Sequence, residues 1–192
     1  GFDFRFYDFT GSTVSIGSNG LLNFDDGSVG FDPASTDFAC GDSDQAPNLA
    51  IYAFWTDLDP SVAGGIFTQT RGVAPNRRFI VQYQDIPFAG VATDESVTFQ
   101  VKLFEGSNEV EVHYATARPS RLEGGRNVQV AVESGDGYPT SCDSLTLTCG
   151  GGASLPGFVE ATQYATCDVG ANRLGDSLAV RFTPTGVMRL EN

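Results

Sequence analysis

Residues 97–114 read "VTFQVKLFEGSNEVEVHY", and the parity of this stretch decides the fold. Val97, Phe99, Val101 and Leu103 fall on one side of an extended chain, and Thr98, Gln100 and Lys102 on the other. After the turn-forming "EGSN" (105–108), Val110, Val112 and Tyr114 alternate with Glu109, Glu111 and His113. A period of two on both flanks of such a turn predicts an antiparallel hairpin with one buried face and one wet face.

The same parity recurs outward from the hairpin. "RFIVQYQ" (78–84), "NVQVAV" (127–132) and "SLAVRF" (177–182) repeat it, and "STVSIG" (12–17), "GLLNF" (20–24) and "GIFTQT" (65–70) are shorter versions. "PGFVEATQYA" (156–165) is the one place read as a short helix. The total is about nine strands separated by Gly-, Pro-, Asp- and Asn-rich loops, and its economical solution is an all-β fold, an antiparallel β-sandwich. No composition break divides the chain. The expected organisation is a single β-sandwich domain over 1–184, a Cys-bearing insertion at about 138–174, and a C-terminal tail over 185–192. Two long loops, 25–48 and 133–176, are of a length that calls for function or for a staple.

Of the 192 residues 41% are apolar and 18% charged, a balance that supports a packed core rather than disorder. Acidic residues outnumber basic ones by 24 to 11, for a net charge of −13. A surface of that sign repels phosphate backbones, so nucleic acid is not an expected partner, and a basic membrane-surface helix is not expected either. No apolar run approaches the ~18 residues of a spanning helix, so no membrane insertion is expected. The chain opens inside a strand-like stretch, "GFDFRFYDF", which reads as a mature chain or an excised domain. Cys40, Cys142, Cys149 and Cys167 form an even set without a C-x-x-C pair, and His113 is the sole histidine. Two disulfides in an oxidising compartment fit better than a zinc site. Of the three pairings, Cys142 with Cys149 closes a short loop and leaves Cys40 to join Cys167.

"LAIYAFWTDLDP" (49–60) carries the sharpest chemical question. Simple alternation puts Ile51, Ala53 and Trp55 on one face, with apolar residues on the other as well, as in a central strand covered on both sides. Pro60 ends the strand. Asp57 and Asp59 then emerge at the sheet edge on the side of Trp55. Three readings stay open. The pair is a glycoside hydrolase's two carboxylates with Trp55 stacked on a sugar. Or it joins Asp42 and Asp44 of the acidic loop "DFACGDSD" (37–44) around calcium, a cation that takes six to eight oxygens. Or it is the hydrogen-bonded polar end of a buried strand. A serine hydrolase is disfavoured, because the chain has no G-x-S-x-G elbow and its one histidine falls on a polar strand face. Tyr138, Phe158 and Tyr164, in the insertion, either face a ligand or pack beneath their own loop.

Laid end to end, "FRFYDF…STVSIGSNGLLNF" (4–24), "LAIYAFWTDLDPSVAGGIF" (49–67), "RRFIVQYQDIPF" (77–88) and "VTFQVKLFEGSNEVEVHY" (97–114) follow an order that resembles the nidogen-like extracellular domain. It is similar as well to related sandwich modules of secreted bacterial proteins. "VQVAVESGDG" and "DSLAVRF" fit the closing strands of those modules, and the segment 138–174 departs from them. The resemblance implies a secreted or cell-surface module that binds an extracellular protein or glycan without catalysis. A carbohydrate-binding module or lectin is the first rival and a glycoside hydrolase using Asp57 and Asp59 the second. The sequence names neither the partner nor an oligomeric state.

Overall fold

The computed structural model describes residues 1–7, 9–25, 27, 29–30, 47–90, 95–117, 128–133, 162–165, 176–183 and 189–191. Among them lie thirteen strands and no helix. A short hairpin, β1 (Phe4–Phe6) and β2 (Phe9–Gly11), opens the chain. β3 (Ser15–Ile16), β4 (Leu21–Asn23), β5 (Ala50–Trp55), β10 (Gln129–Glu133) and β11 (Thr162–Ala165) form a five-stranded sheet in the order β11-β10-β5-β4-β3. β6 (Gly65–Arg71), β7 (Arg78–Pro87), β8 (Ser96–Phe104), β9 (Val110–Thr116), β12 (Leu178–Phe182) and β13 (Arg189–Glu191) form a six-stranded sheet in the order β13-β12-β9-β8-β7-β6. Every neighbouring pair is antiparallel.

The hairpin read from 97–114 is present as β8 and β9, with Val101 opposite Val112 and Lys102 opposite Glu111. Gly106 and Asn108 take positive φ in its turn, the conformation those residue types accept most readily. The strand count exceeds the expectation of nine because β1, β2, β11 and β13 are short. β11 takes the last residues of the stretch read as a helix, and β13 lies within the stretch read as a tail.

The two large sheets pack face to face. Val81, Tyr83, Phe99, Val101, Val112, Tyr114 and Val180 from the six-stranded sheet meet Leu22, Ile51, Ala53, Phe54, Val130 and Val132 in one buried cluster. Its centre is aromatic: the Tyr83 and Phe99 rings stack at 4.4 Å, and Phe54 lies 5.5 Å from Phe99 and 6.1 Å from Tyr114. Three buried tyrosine hydroxyls cross the layers. Tyr83 donates to the Gly17 carbonyl at 2.7 Å, Tyr7 to Val132 at 3.3 Å, and Tyr114 to Ala53. Each satisfies a polar group that would otherwise be costly inside. Burial pushes the Tyr83 hydroxyl pKa well up, so it stays a donor. The hairpin β1–β2 closes one end with Phe4, Phe6 and Phe9 against Phe24.

β5 departs from the alternation read in the sequence. Ile51, Ala53 and Phe54 enter the inter-sheet cluster, whereas Ala50, Tyr52 and Trp55 face the other way with Leu21 and Val29. The cause is a β-bulge. Gln129 pairs with Trp55 but Ala131 pairs with Tyr52, so Ala53 and Phe54 together oppose one residue of β10. On the other side both of their N–H groups donate to the Gly20 carbonyl, at 2.9 and 3.3 Å. The extra residue turns Phe54 inward and moves Trp55 to the outer face of the five-stranded sheet, where its indole N–H donates to Gly30 at 3.2 Å.

Candidate functional site

The chain leaves β5 through Thr56 and runs past the rim of the other sheet. Asp59 N–H donates to Pro87 and Ala89 N–H donates to Asp57, both at 2.9 Å, around a one-residue bridge between Leu58 and Phe88. Leu58 is buried in the inter-sheet cluster beneath this clasp, and its N–H donates to Asn19 Oδ1 at 2.8 Å. Asp57 is exposed and its carboxylate makes no hydrogen bond to a described residue. Asp59 caps its own turn: Oδ1 accepts from Ser61 N–H at 3.0 Å and from Ser61 Oγ–H at 2.5 Å. This is an Asx-turn that Pro60 and Ser61 complete. Trp55 lies on the far face of β5, packed edge-on against Tyr52 at 5.5 Å, because the bulge has reversed its side.

Asp42, Asp44, Tyr138, Phe158 and the four cysteines, Cys40, Cys142, Cys149 and Cys167, lie outside the described residues. Tyr164 falls in β11, of which the backbone is described. Among the described residues no group of three or more His, Cys, Asp or Glu side chains is gathered as a metal-ligand set, and no helix is long and apolar enough to cross a membrane.

A second surface emerges from register alone. The outward residues of the six-stranded sheet line up in rows across the strands. Phe67, Gln82, Gln100, His113 and Ala179 form one row; Gln69, Ile80, Lys102, Glu111 and Arg181 the next; Arg71, Arg78 and Phe104 a third. Gln100 donates its amide N–H to the Gln82 carbonyl oxygen across the strands. Phe67 is 58% exposed, a large apolar ring left at the edge of a polar face. Two shallow hollows meet at Gln82 and Gln100. One runs toward Phe67, Arg71, Arg78 and Lys102, the other toward His113, Ser177 and Ala179.

Glu111, in the neighbouring row, holds His113 at the second hollow. It accepts from Arg181 at 2.6 and 2.9 Å and shares a 2.8 Å hydrogen bond with His113 Nε2. Burial pushes the Glu111 carboxyl pKa up. The hydrogen bonds from His113 and Arg181, with their charges, outweigh it and hold the carboxyl below its ordinary value. Gln100, Lys102 and His113 were legible in the sequence as outward residues. Phe67, Arg71 and Arg78 were not, because only the pairing of β6 with β7 and β8 brings them to the same rows.

A family model described as NIDO-related matches residues 1–183. The chain belongs to the NIDO-related family. No curated protein and no solved structure matches it. Nidogen-type domains are an extracellular kind of module, which agrees with the resemblance carried by 4–24, 49–67, 77–88 and 97–114.

Proposed function

We infer that this NIDO-related chain is a non-catalytic extracellular interaction module, and that its contact surface for a protein or glycan is the outer face of the six-stranded sheet. The observation that carries the reading is the row Phe67–Gln82–Gln100–His113. An exposed ring stands beside paired amides, each with a donor and an acceptor, on a rigid strand scaffold open to solvent. Such a row offers stacking and reciprocal hydrogen bonds, the two contacts a sugar or a peptide edge requires. A carbohydrate-binding module uses the same contacts, so the lectin reading is a special case of this one. The hydrolase reading has less support: one oxygen of Asp59 is committed to Ser61, and Trp55 faces away from the inter-sheet core to which Leu58 belongs.

The test is a screen of the intact chain against arrayed glycans and extracellular proteins, followed by Phe67→Ala and Gln100→Ala. Both variants are expected to weaken the captured ligand by about tenfold or more while keeping the wild-type melting temperature. Undiminished binding by both would move the contact surface elsewhere.

A further inference from the structure

Among the described side chains, the outer face of the six-stranded sheet carries charge of the opposite sign to the molecule. In a chain of net charge −13, the three rows present Arg71, Arg78, Lys102 and Arg181 against two described carboxylates: Glu111, which Arg181 and His113 already engage, and Glu109, opposite Phe104 at the far end of the third row, which accepts from Ser107 Oγ–H. Asp85, which accepts from Thr98 Oγ1, lies one row beyond. Arg71 and Arg78 stand directly opposite each other on neighbouring strands. Like charges in that position repel, and no described carboxylate bridges them. Arg71 donates Nε–H to Gln69 at 2.7 Å, an interaction that leaves its charge uncompensated. Lys102 is half-buried on the next strand. Burial lowers its ammonium pKa, Glu111 opposes that and Arg78 adds to it. All three cations line the hollow that also holds Phe67, Gln82 and Gln100.

We propose that this hollow binds an acidic polysaccharide, with Arg71, Arg78 and Lys102 on its carboxylates and Phe67 and the Gln82–Gln100 pair on its sugar rings and hydroxyls. The inference rests on the outer face being the contact surface. Guanidinium forks match a carboxylate in two hydrogen bonds, and a bound anion between Arg71 and Arg78 removes their repulsion. The acidic remainder of the molecule does not forbid this. At physiological ionic strength charges more than ~8 Å apart are screened, so the local rows decide the sign that a ligand meets. A second copy of the chain is a poorer occupant. It offers no repeating array of carboxylates and hydroxyls for the aligned rows to meet, as a polysaccharide does. Side chains within a row are ~4.8 Å apart from strand to strand, about one sugar ring, so a polymer lying across the strands along the first row meets the Phe67 ring and then the amide pair, with Lys102 one row (~7 Å) and Arg71 and Arg78 two rows to its side.

The test uses polygalacturonate and its fully methyl-esterified form, which keeps the backbone and removes the charge. The wild-type chain is expected to bind the acid polymer and to lose about tenfold or more on esterification. The double variant Arg78→Gln/Lys102→Gln, and Arg71→Gln separately, should lose a comparable factor on the acid polymer. Arg5→Gln, an exposed arginine on β1, should bind as wild type. Affinity for the acid polymer should fall between 50 and 300 mM NaCl. A double variant that binds as wild type, or salt-independent binding, would overturn the proposal. Equal retention of ester and acid, lost in Phe67→Ala, would overturn the acidic ligand and keep the face as contact surface. Capture of an acidic protein or self-association through these cations, with no polymer bound, would overturn the polysaccharide. Retention of no glycan or protein through Phe67 or Gln100 would overturn both readings.

Discussion

Gly20 is the residue on which the turn of β5 depends. Its φ is +79°, and a Cβ there would meet the Phe54 carbonyl oxygen at 2.3 Å, inside the bulge that its own carbonyl caps. Gly90 has a similar φ of +72° and nothing within 4 Å. Gly90→Ala therefore carries the left-handed strain alone, about 1–2 kcal/mol, whereas Gly20→Ala adds displacement of backbone and should cost ~3 kcal/mol or more. Urea denaturation of the two variants reads the difference, and equal midpoints would place the close approach elsewhere. The aspartates of 57–59 also belong at this scale. The structure gives Asp59 a turn to cap and leaves the Asp57 carboxylate in solvent. Calcium at this pair stays a proposal with a direct check. If the cation binds the folded state, melting temperature rises in millimolar calcium and falls in chelator, and Asp57→Asn with Asp59→Asn abolishes the response. The sequence allowed all three readings of the pair, because i and i+2 spacing fixes a common side but not which partners wait there.

At the scale of the element, the hairpin was legible and its neighbours were less so. β8 and β9 alternate without interruption through Val97–Leu103 and Val110–Tyr114, so the period alone assigned their faces. β5 is apolar on every residue, and an all-apolar run carries no parity signal by which to detect a bulge. For that reason simple alternation puts Trp55 with Ile51 and Ala53, whereas it lies with Ala50 and Tyr52. The turns of two hairpins are joined by an ion pair that no local pattern announces. Arg77, before β7, donates to both oxygens of Glu105, after β8, at 2.5 and 2.8 Å, while Glu105 N–H donates to the Arg77 carbonyl at 2.8 Å. The hydrogen bonds from the guanidinium hold the Glu105 carboxyl at about 2, against an ordinary 4.5. A carboxyl depressed on folding stabilises the folded state above the unfolded value and loses that contribution as pH falls through the folded one. Wild type should therefore melt above Glu105→Gln at pH 6, and the gap should close between pH 4.5 and about 2. A gap that persists unchanged to the acid end would mean the pair adds nothing beyond packing.

Across the whole molecule, the sandwich and its family followed from the order of strand-like segments, whereas the basic face did not. Composition averages the charge to −13, and the separation of sign appears only when β6, β7, β8, β9 and β12 are laid side by side. Two salt effects of opposite direction follow. Excess negative charge repels itself in the compact state, and raising NaCl from 10 to 150 mM shortens the screening length from ~30 to ~8 Å. The melting temperature should rise by a few degrees over that range, measured by circular dichroism. Binding of an acidic polymer at the outer face should weaken over the same range. Movement of both in one direction would show that the face does not act against the background charge.

The bulge in β5 also bears on how the chain tolerates a deletion. Ala53 and Phe54 point to the same side, so β5 contains one more residue than its faces require. Loss of Ala53 would leave Ala50, Tyr52 and Trp55 on the outer side and Ile51 and Phe54 on the inner side, the frame of every ring unchanged. The same excision from the middle of β8, where no spare residue exists, would exchange the core and solvent faces for the rest of that strand. The redundancy makes Ala53 a position where this chain can lose one residue without exchanging the faces of β5.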